Sequence, residues 1–318
     1  MPYRGTRVLV LGASGFIGHW LTRRLADAGA DLTAGVRNTH ALDDLSGAVT
    51  VSKIDLLDFA AVTDLITRVS PSVIFNLSGY GIDPRERSED MARLINAELP
   101  PLLLRTMRHT TLPAWRGQRV VHAGSALEYG TCGGDFAETS QARPTTLYGR
   151  TKLAGAVGLL NESAASGLAS VTARLFTVYG PGEHAGRLLP SLLEAARTGA
   201  PIDLTAGTQQ RDFTYVEDVV EGLLRLGTVW TSSAGLVNVA TGELFTVRHF
   251  IETAAQILGI RSDNLNFGAL PTRNEEMEHD PVTIRKLKDL TAWAPSTTLA
   301  QGIRRTRELI NTTGREDE

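Results

Sequence analysis

The chain has 318 residues, 42 % of them apolar, a net charge of −3 and a single cysteine, Cys132. That is chain enough for one large or two modest cores; charge makes no case for a nucleic-acid or anionic-membrane partner, and one cysteine excludes an internal disulfide or a cysteine-based metal site. No apolar run approaches the ~20 residues of a membrane span, the seven histidines show no ligand spacing, and the first strand starts too near Met1 for a signal peptide, so no metal is expected and the expected compartment is the cytoplasm.

Val8-Leu9-Val10-Leu11 is a continuous apolar run, which predicts a strand buried on both faces. It breaks at Gly12-Ala13-Ser14-Gly15-Phe16-Ile17-Gly18 into a helical pattern with Phe16, Ile17, Trp20, Leu21 and Leu25 inward. In this spacing Gly12 permits a tight turn, Gly15 lets a phosphate approach the backbone, and Gly18 lets the helix pack closely on the strand. The helix N-terminus then offers N–H groups and a partial positive charge to a pyrophosphate. The helix is expected to end near Gly29. Strands are predicted at 31–37 and 49–54, a helix at 59–69, and a strand at 73–77 running into Ser78-Gly79-Tyr80-Gly81. A long helix follows, with Met91, Leu94 and Ile95 inward and a kink or restart at Pro100-Pro101. A strand at 119–123, a loop at 131–144, a helix at 147–163 and a strand at 170–176 continue the alternation.

Buried strands alternating with helices predict an α/β fold, a Rossmann-type doubly wound parallel sheet. Past residue 178 the pattern changes to Gly180-Pro181-Gly182, a helix at 188–198, a short strand near Ile202, and helices with a proline-broken loop over 244–318. The expected division is a dinucleotide-binding domain of 1–177 and 207–240, and a smaller, discontinuous domain of 178–206 and 241–318. Residues 311–318 read as a frayed polar tail.

Two constellations carry chemistry. At the end of the second strand a carboxylate would accept from an adenosine ribose 2′-OH. Val36 stands there instead, followed by Arg37, whose guanidinium can pair a 2′-phosphate. This favours NADP(H) over NAD(H), against the plain alternative of a surface arginine. Asp55 is placed either to meet the adenine or to cap a helix. Ser78-Gly79 leaves little side chain, as close approach of a cofactor requires. The second constellation is Tyr148 and Lys152, four apart and so on one helix face. An ammonium beside a phenol favours the phenolate and lowers its pKa, and such a tyrosine can pass a proton to or from an alcohol oxygen. Ser125, just after the fifth strand, can hydrogen-bond the same oxygen.

With these residues in place, the chain resembles the extended short-chain dehydrogenases/reductases of the nucleotide-sugar epimerase/dehydratase/reductase group. The matching motifs are residues 12–18, Asp55-Leu56, residues 124–130, Tyr148 with Lys152, residues 174–182 and residues 210–218, in family order over nearly the whole chain. The resemblance implies a catalytic set of Ser125, Tyr148 and Lys152, with Lys152 also holding the nicotinamide ribose. It implies cofactor contacts from Gly12, Ser14, Gly15, Phe16, Ile17, Gly18, Arg37, Asp55, Leu56, Leu77, Ser78 and Gly79. It makes 178–206 and 241–318 the nucleotide-sugar domain, with Arg211 on the substrate diphosphate, Arg273, Arg187 and Thr177 as further substrate contacts, and Asn96 structural. A homodimer through the helices near 90–110 and 147–163 is also implied.

The chain departs from the family at three places. Ala126 and Leu127 replace the Asp-Glu pair of the dehydratases, which argues against 4,6-dehydration. Thr177 replaces an asparagine that contacts the substrate phosphate, and Asn76-Leu77-Ser78-Gly79 lacks the usual histidine. The expected reaction is NADPH-dependent reduction of a nucleotide-activated, dTDP-linked 4-keto-6-deoxyhexose. The alternatives are an NAD-dependent nucleotide-sugar 4-epimerase and a non-catalytic NADP sensor.

Overall fold

The computed structural model describes residues 2–82, 85–231, 234–272 and 277–313. Its frame is a seven-stranded parallel sheet made of β1 (Arg7–Leu11), β2 (Asp31–Val36), β3 (Thr50–Lys53), β4 (Val73–Asn76), β5 (Val120–Ser125), β6 (Ser170–Leu175) and β11 (Gly235–Val239), in the order β11-β6-β5-β4-β1-β2-β3. The strand order reverses at β1, which lies between β2 and β4. A crevice at the carboxyl ends of strands beside such a reversal is where open α/β sheets bind ligands.

The apolar run of β1 follows from having both faces covered. Val8 and Val10 join a core with Phe75, Val121, Leu21 and Leu25, under α1 (Phe16–Asp27) and α7 (Val216–Thr228). Leu9 and Leu11 point the other way, as the period of two demands. They pack with Ile74, Leu65, Leu103 and Leu159 under α2 (Phe59–Val69), α4 (Leu99–Arg108) and α5 (Leu147–Ser166). All four strand residues are fully buried, so truncating Leu9 or Leu11 to alanine would cost about 2–5 kcal/mol.

The helices start and stop where local chemistry allows. Asp58 Oδ1 accepts from Ala61 N at 3.0 Å and starts α2, and Ser70 ends it in a left-handed conformation. Thr146 Oγ1 accepts from Gly149 N at 3.0 Å and starts α5, and Gly167, with φ +70°, ends it. Pro100-Pro101 stand at the start of a new helical segment, the restart alternative of the expectation. A short α3 (Glu89–Ala92) passes through a π-helical turn, Arg93–Glu98, directly into α4. The prolines fall in the first turn of α4, where the wider π turn upstream absorbs their missing N–H donors. The last helix, α10 (Leu299–Thr313), also runs further than expected, into what read as a frayed tail; residues 314–318 lie outside the described residues.

A third core gathers Tyr179, Leu189, Leu192, Leu204, Phe213, Tyr215, Phe250, Ile251 and Ile303. Its elements are α6 (Leu188–Thr198), α8 (Val247–Leu258), α10 and three two-stranded pairs. These are β7 (Thr177–Tyr179) with β10 (Phe213–Tyr215), β8 (Ile202–Leu204) with β13 (Leu265–Phe267), and β9 (Gln210–Arg211) with β12 (Phe245–Thr246). The last helix before it, α9 (Arg285–Thr291), inserts Leu287 into the first core instead. Phe16, Ile17 and Trp20 of α1 pack on the third core, and Trp20 Nε1 donates to Pro181 O at 2.8 Å. The glycine turn and the second half of the chain thus face one cleft. Among the described residues, no helix is long and apolar enough to cross a membrane.

Candidate active site

The cleft begins at the glycine turn. Gly12 has φ +77°, and a Cβ there would lie 2.8 Å from the backbone of Leu77 and Ser78. A Cβ on Gly18 would lie 2.0 Å from Gly12 O, so helix and strand do pack too closely for a side chain. Gly15 differs: its φ is ordinary, and a Cβ would come no nearer than 3.4 Å to Gly12 O. The fold itself does not require glycine at 15; a ligand against the backbone would. Ser14 is exposed, and Phe16 and Ile17 are half-buried. No side chain caps α1, and its first turn carries no acid. The glycine cradle and the uncapped, acid-free helix start fit a dinucleotide pyrophosphate.

Val36 closes β2 in the core, and Arg37 is the first exposed residue beyond it. Asp55 lies exposed past β3, next to half-buried Leu56, and its Oδ1 accepts from Leu57 N at 3.0 Å. It does not cap a helix: Asp58 caps α2 instead.

Three elements converge on the second constellation. Lys152, on α5, is buried and donates from Nζ to Ser78 O at 2.9 Å and Ala123 O at 3.0 Å. A Cβ on Gly79 would sit 3.4 Å from Lys152 Nζ and 3.7 Å from Tyr148 Oη, so the bare turn after β4 lies directly against both side chains. Ser125 is the last residue of β5, and its Oγ accepts from Leu127 N at 3.2 Å. Gly149 lets α5 approach that turn, since a Cβ there would lie 2.3 Å from Leu127 O.

The charges correct one expectation. Lys152 was to lower the Tyr148 pKa. Instead burial pushes the phenol well above its usual range, and the carboxylates of Glu128 and Glu86 push it further, while Arg187 opposes them. Nζ lies 5.8 Å from the ring centroid, committed to two carbonyls. Burial also lowers Lys152 to about 8, with Glu128 opposing. Tyr148 is therefore protonated at neutral pH, in the state that can donate.

Asn76, where the family's histidine would stand, has a clear role. Its Oδ1 accepts from Ser78 Oγ at 2.6 Å and Ser78 N at 3.2 Å, and its Nδ2 faces His122 Nδ1 at 3.1 Å across the β4–β5 pair. This fixes the turn whose carbonyl receives Lys152. His122 is fully buried and held well below its usual pKa by burial and by Lys152, so it is neutral. Asn96 acts structurally from the π turn: it bonds Tyr80 O at 2.7 Å, Tyr80 N at 3.0 Å and Thr151 Oγ1 at 3.0 Å. A Cβ on Gly155 would meet Asn96 O at 1.9 Å, so α5 and this turn are closely seated.

On the opposite wall, Thr177 opens β7 and Arg211 closes β9. Arg211's neighbour Asp212 is buried and accepts from Thr241 N at 2.9 Å and Gly242 N at 2.7 Å, anchoring this strand pair. Arg187 is exposed at the start of α6, 3.4 Å from Glu183 Oε1. Arg273 lies outside the described residues. Two groups here escaped the sequence reading. Burial raises the carboxyl of Glu183 to about 7, despite Arg187. Glu128 and Arg174 form a fully buried ion pair at 2.8 Å. The spacing Ser125-x-x-Glu128 is a capping-box signal that could have revealed the first of that pair. Nothing local announces the second, 46 residues on.

A model of the NAD dependent epimerase/dehydratase family matches residues 8–240. The chain belongs to this family. It is 29% identical over 308 residues, 94% of this chain and 93% of the other, to dTDP-6-deoxy-L-talose 4-dehydrogenase (NAD(P)(+)) of Kitasatospora kifunensis. It is 26% identical over 336 residues, 94% of this chain and 95% of the other, to a probable UDP-glucuronate 4-epimerase of Rhizobium meliloti. Among solved structures, MoeE5 in complex with UDP-glucuronic acid and NAD superposes with a TM-score of 0.83 at 27% identity, covering 96% of this chain and 99% of that one. The family member described here is an enzyme of the NAD(P)-dependent oxidoreductase and epimerase kind.

Proposed function

We propose that this enzyme reduces a nucleotide-activated 4-keto-6-deoxyhexose, dTDP-linked by analogy with the talose 4-dehydrogenase, with NADP(H) preferred over NAD(H). The observation that carries the reading is Tyr148 beside Lys152 and the bare Ser78-Gly79 turn, at the carboxyl edge of the sheet. Gly12, Gly15 and Gly18 with the start of α1 would hold the pyrophosphate, Arg37 the 2′-phosphate and Lys152 the nicotinamide ribose. The bound cofactor supplies the hydride. Ser125 Oγ holds the ketone oxygen, and Tyr148 Oη delivers the proton that oxygen needs as it becomes an alcohol. Ala126 and Leu127 carry no group able to remove water from the sugar. Thr177, Arg187, Arg211 and Arg273 would line the nucleotide-sugar side, with 178–206 and 241–318 as its domain. Exposed Val157 and Leu160 on α5 fit the helix pair expected to form a homodimer. A cytoplasmic location suits a reductant drawn from the free NADPH pool.

A second reading, 4-epimerisation with retained NAD, is favoured by the NAD and UDP-glucuronic acid of the MoeE5 complex. Apo-protein titrated with NADPH and NADH, followed by turnover with dTDP-4-keto-6-deoxyglucose, separates the two. A strong NADPH preference with NADPH consumption supports reduction. Retained NAD+ with interconversion of UDP-hexoses overturns it in favour of epimerisation.

A further inference from the structure

Glu128 touches the candidate active site from behind, through the backbone. Its Oε1 accepts from the Ser125 N–H at 2.8 Å, while Ser125 Oγ caps the same single turn through Leu127 N. Its Oε2 accepts from Arg174 Nε at 2.8 Å, and Arg174 lies 4.2 Å over the Tyr129 ring. Glu128 is 0% and Arg174 1% exposed. Gly124 makes room for the carboxylate, since a Cβ there would lie 2.6 Å from Glu128 Oε1. A helical cap needs no buried ion pair. Burying two charges side by side is generally neutral or unfavourable compared with an apolar pair, which leaves stability as a poor reason for it.

We propose that the Glu128–Arg174 pair is a positioning device for the reaction, in which Glu128 fixes the Ser125 backbone and places one buried negative charge behind the Ser125, Tyr148 and Lys152 set. Arg174 holds Glu128 in its two-pronged geometry. The assignment rests on the reading of those three residues as the reacting set. Glu128 is fully buried and acts through the Ser125 backbone. Its charge raises the proton affinity of both Tyr148 and Lys152: at Tyr148 it adds to the larger effect of burial, and at Lys152 it opposes burial. Three other groups share this field. Glu86, which accepts from Gly81 N at 2.7 Å, and Arg187 act on Tyr148 in opposite directions, and neutral His122 lies beside Lys152.

Glu128→Gln tests this, because glutamine keeps an acceptor for the Ser125 N–H and removes the charge. The readouts are the pH profile of kcat and kcat/KM with dTDP-4-keto-6-deoxyglucose and NADPH, and an ultraviolet difference titration against Tyr148→Phe with NADP+ bound. The alkaline limb and the phenol ionisation should both move to lower pH by about half a unit or more. Glu128→Ala, which also frees the Ser125 N–H, should lower kcat about ten-fold or more with KM changed far less. Should Glu128→Gln fold poorly beside an unpaired arginine, the double variant Glu128→Gln/Arg174→Gln removes both charges and should shift both readouts the same way. Superimposable profiles and titrations, with kcat retained in a folded variant, would overturn the proposal. Tyr148→Phe run in parallel keeps the two ideas apart: if it too retains turnover, the reading of the reacting set has failed; if it alone loses turnover, only the role of Glu128 has.

Discussion

The two walls of the cleft are built in different ways. The glycine turn works with backbone: Gly12 and Gly18 leave no room for a Cβ, and the start of α1 is uncapped and free of acids. The opposite wall works with side chains, whose charges are checked by neighbours. Arg187 lies against Glu183, Asp212 is tied to the 241–242 turn, and Arg211 closes a two-residue strand. A backbone site is built once the chain folds and needs little else. A side-chain site depends on which partners arrive from elsewhere, so its charge and its pKa values belong to the assembly.

The largest expected effect lies where the walls meet. Tyr148→Phe should retain cofactor affinity and lose turnover by about 10²–10⁴-fold, since one proton donor is removed. Turnover within a few-fold of the parent would mean that proton delivery is done elsewhere. Next come the glycines. Gly18→Ala places a Cβ 2.0 Å from Gly12 O and should cost about 1–3 kcal/mol in thermal or denaturant unfolding. Gly15→Ala, at 3.4 Å, should fold normally yet bind dinucleotide more weakly. Equal unfolding midpoints for the two variants would break the contrast between a packing glycine and a ligand-facing one.

Smaller effects sharpen the side-chain half. Arg37→Ala should weaken NADPH about ten-fold or more and leave NADH nearly unchanged by fluorescence titration, as expected for a charge-assisted contact to the 2′-phosphate. Equal losses for both nucleotides would assign Arg37 to the surface. Glu183 offers the smallest effect, and its sign is definite. Its folded pKa, about 7, lies above the unfolded value, so the folded state binds the extra proton. Stability is lost as pH rises through the interval between those two values. Glu183→Gln should therefore stabilise the protein by about 1–2 kcal/mol at pH 8. The gain should vanish by about pH 3, where both states of the wild type are protonated. A pH-independent difference in unfolding free energy would show that the carboxyl is not held in its neutral form.

Much of this was legible along the chain, for reasons particular residues make plain. Val8 to Leu11 had to be covered on both faces, and a doubly wound sheet covers them. Gly12 and Gly18 stand where backbone meets backbone, so their spacing is a local record of a tertiary contact. Tyr148 and Lys152 share a helix face because the helical period puts them there. The seat of Lys152 was visible only as small residues, Ser78 and Gly79. Its two carbonyl partners come from the turn after β4 and from β5.

What the amino-acid order determined by itself is therefore whatever a short segment settles through its own period and turns: the strands, the glycine cradle and the Tyr148–Lys152 face. Only the tertiary structure decided the electrostatics. It raised the Tyr148 phenol where neighbouring lysine alone would have lowered it, made a neutral histidine of His122, pushed Glu183 toward neutrality, and joined Glu128 to Arg174. Burial and charge–charge interaction depend on distances through space between residues far apart in sequence, and no local pattern carries them.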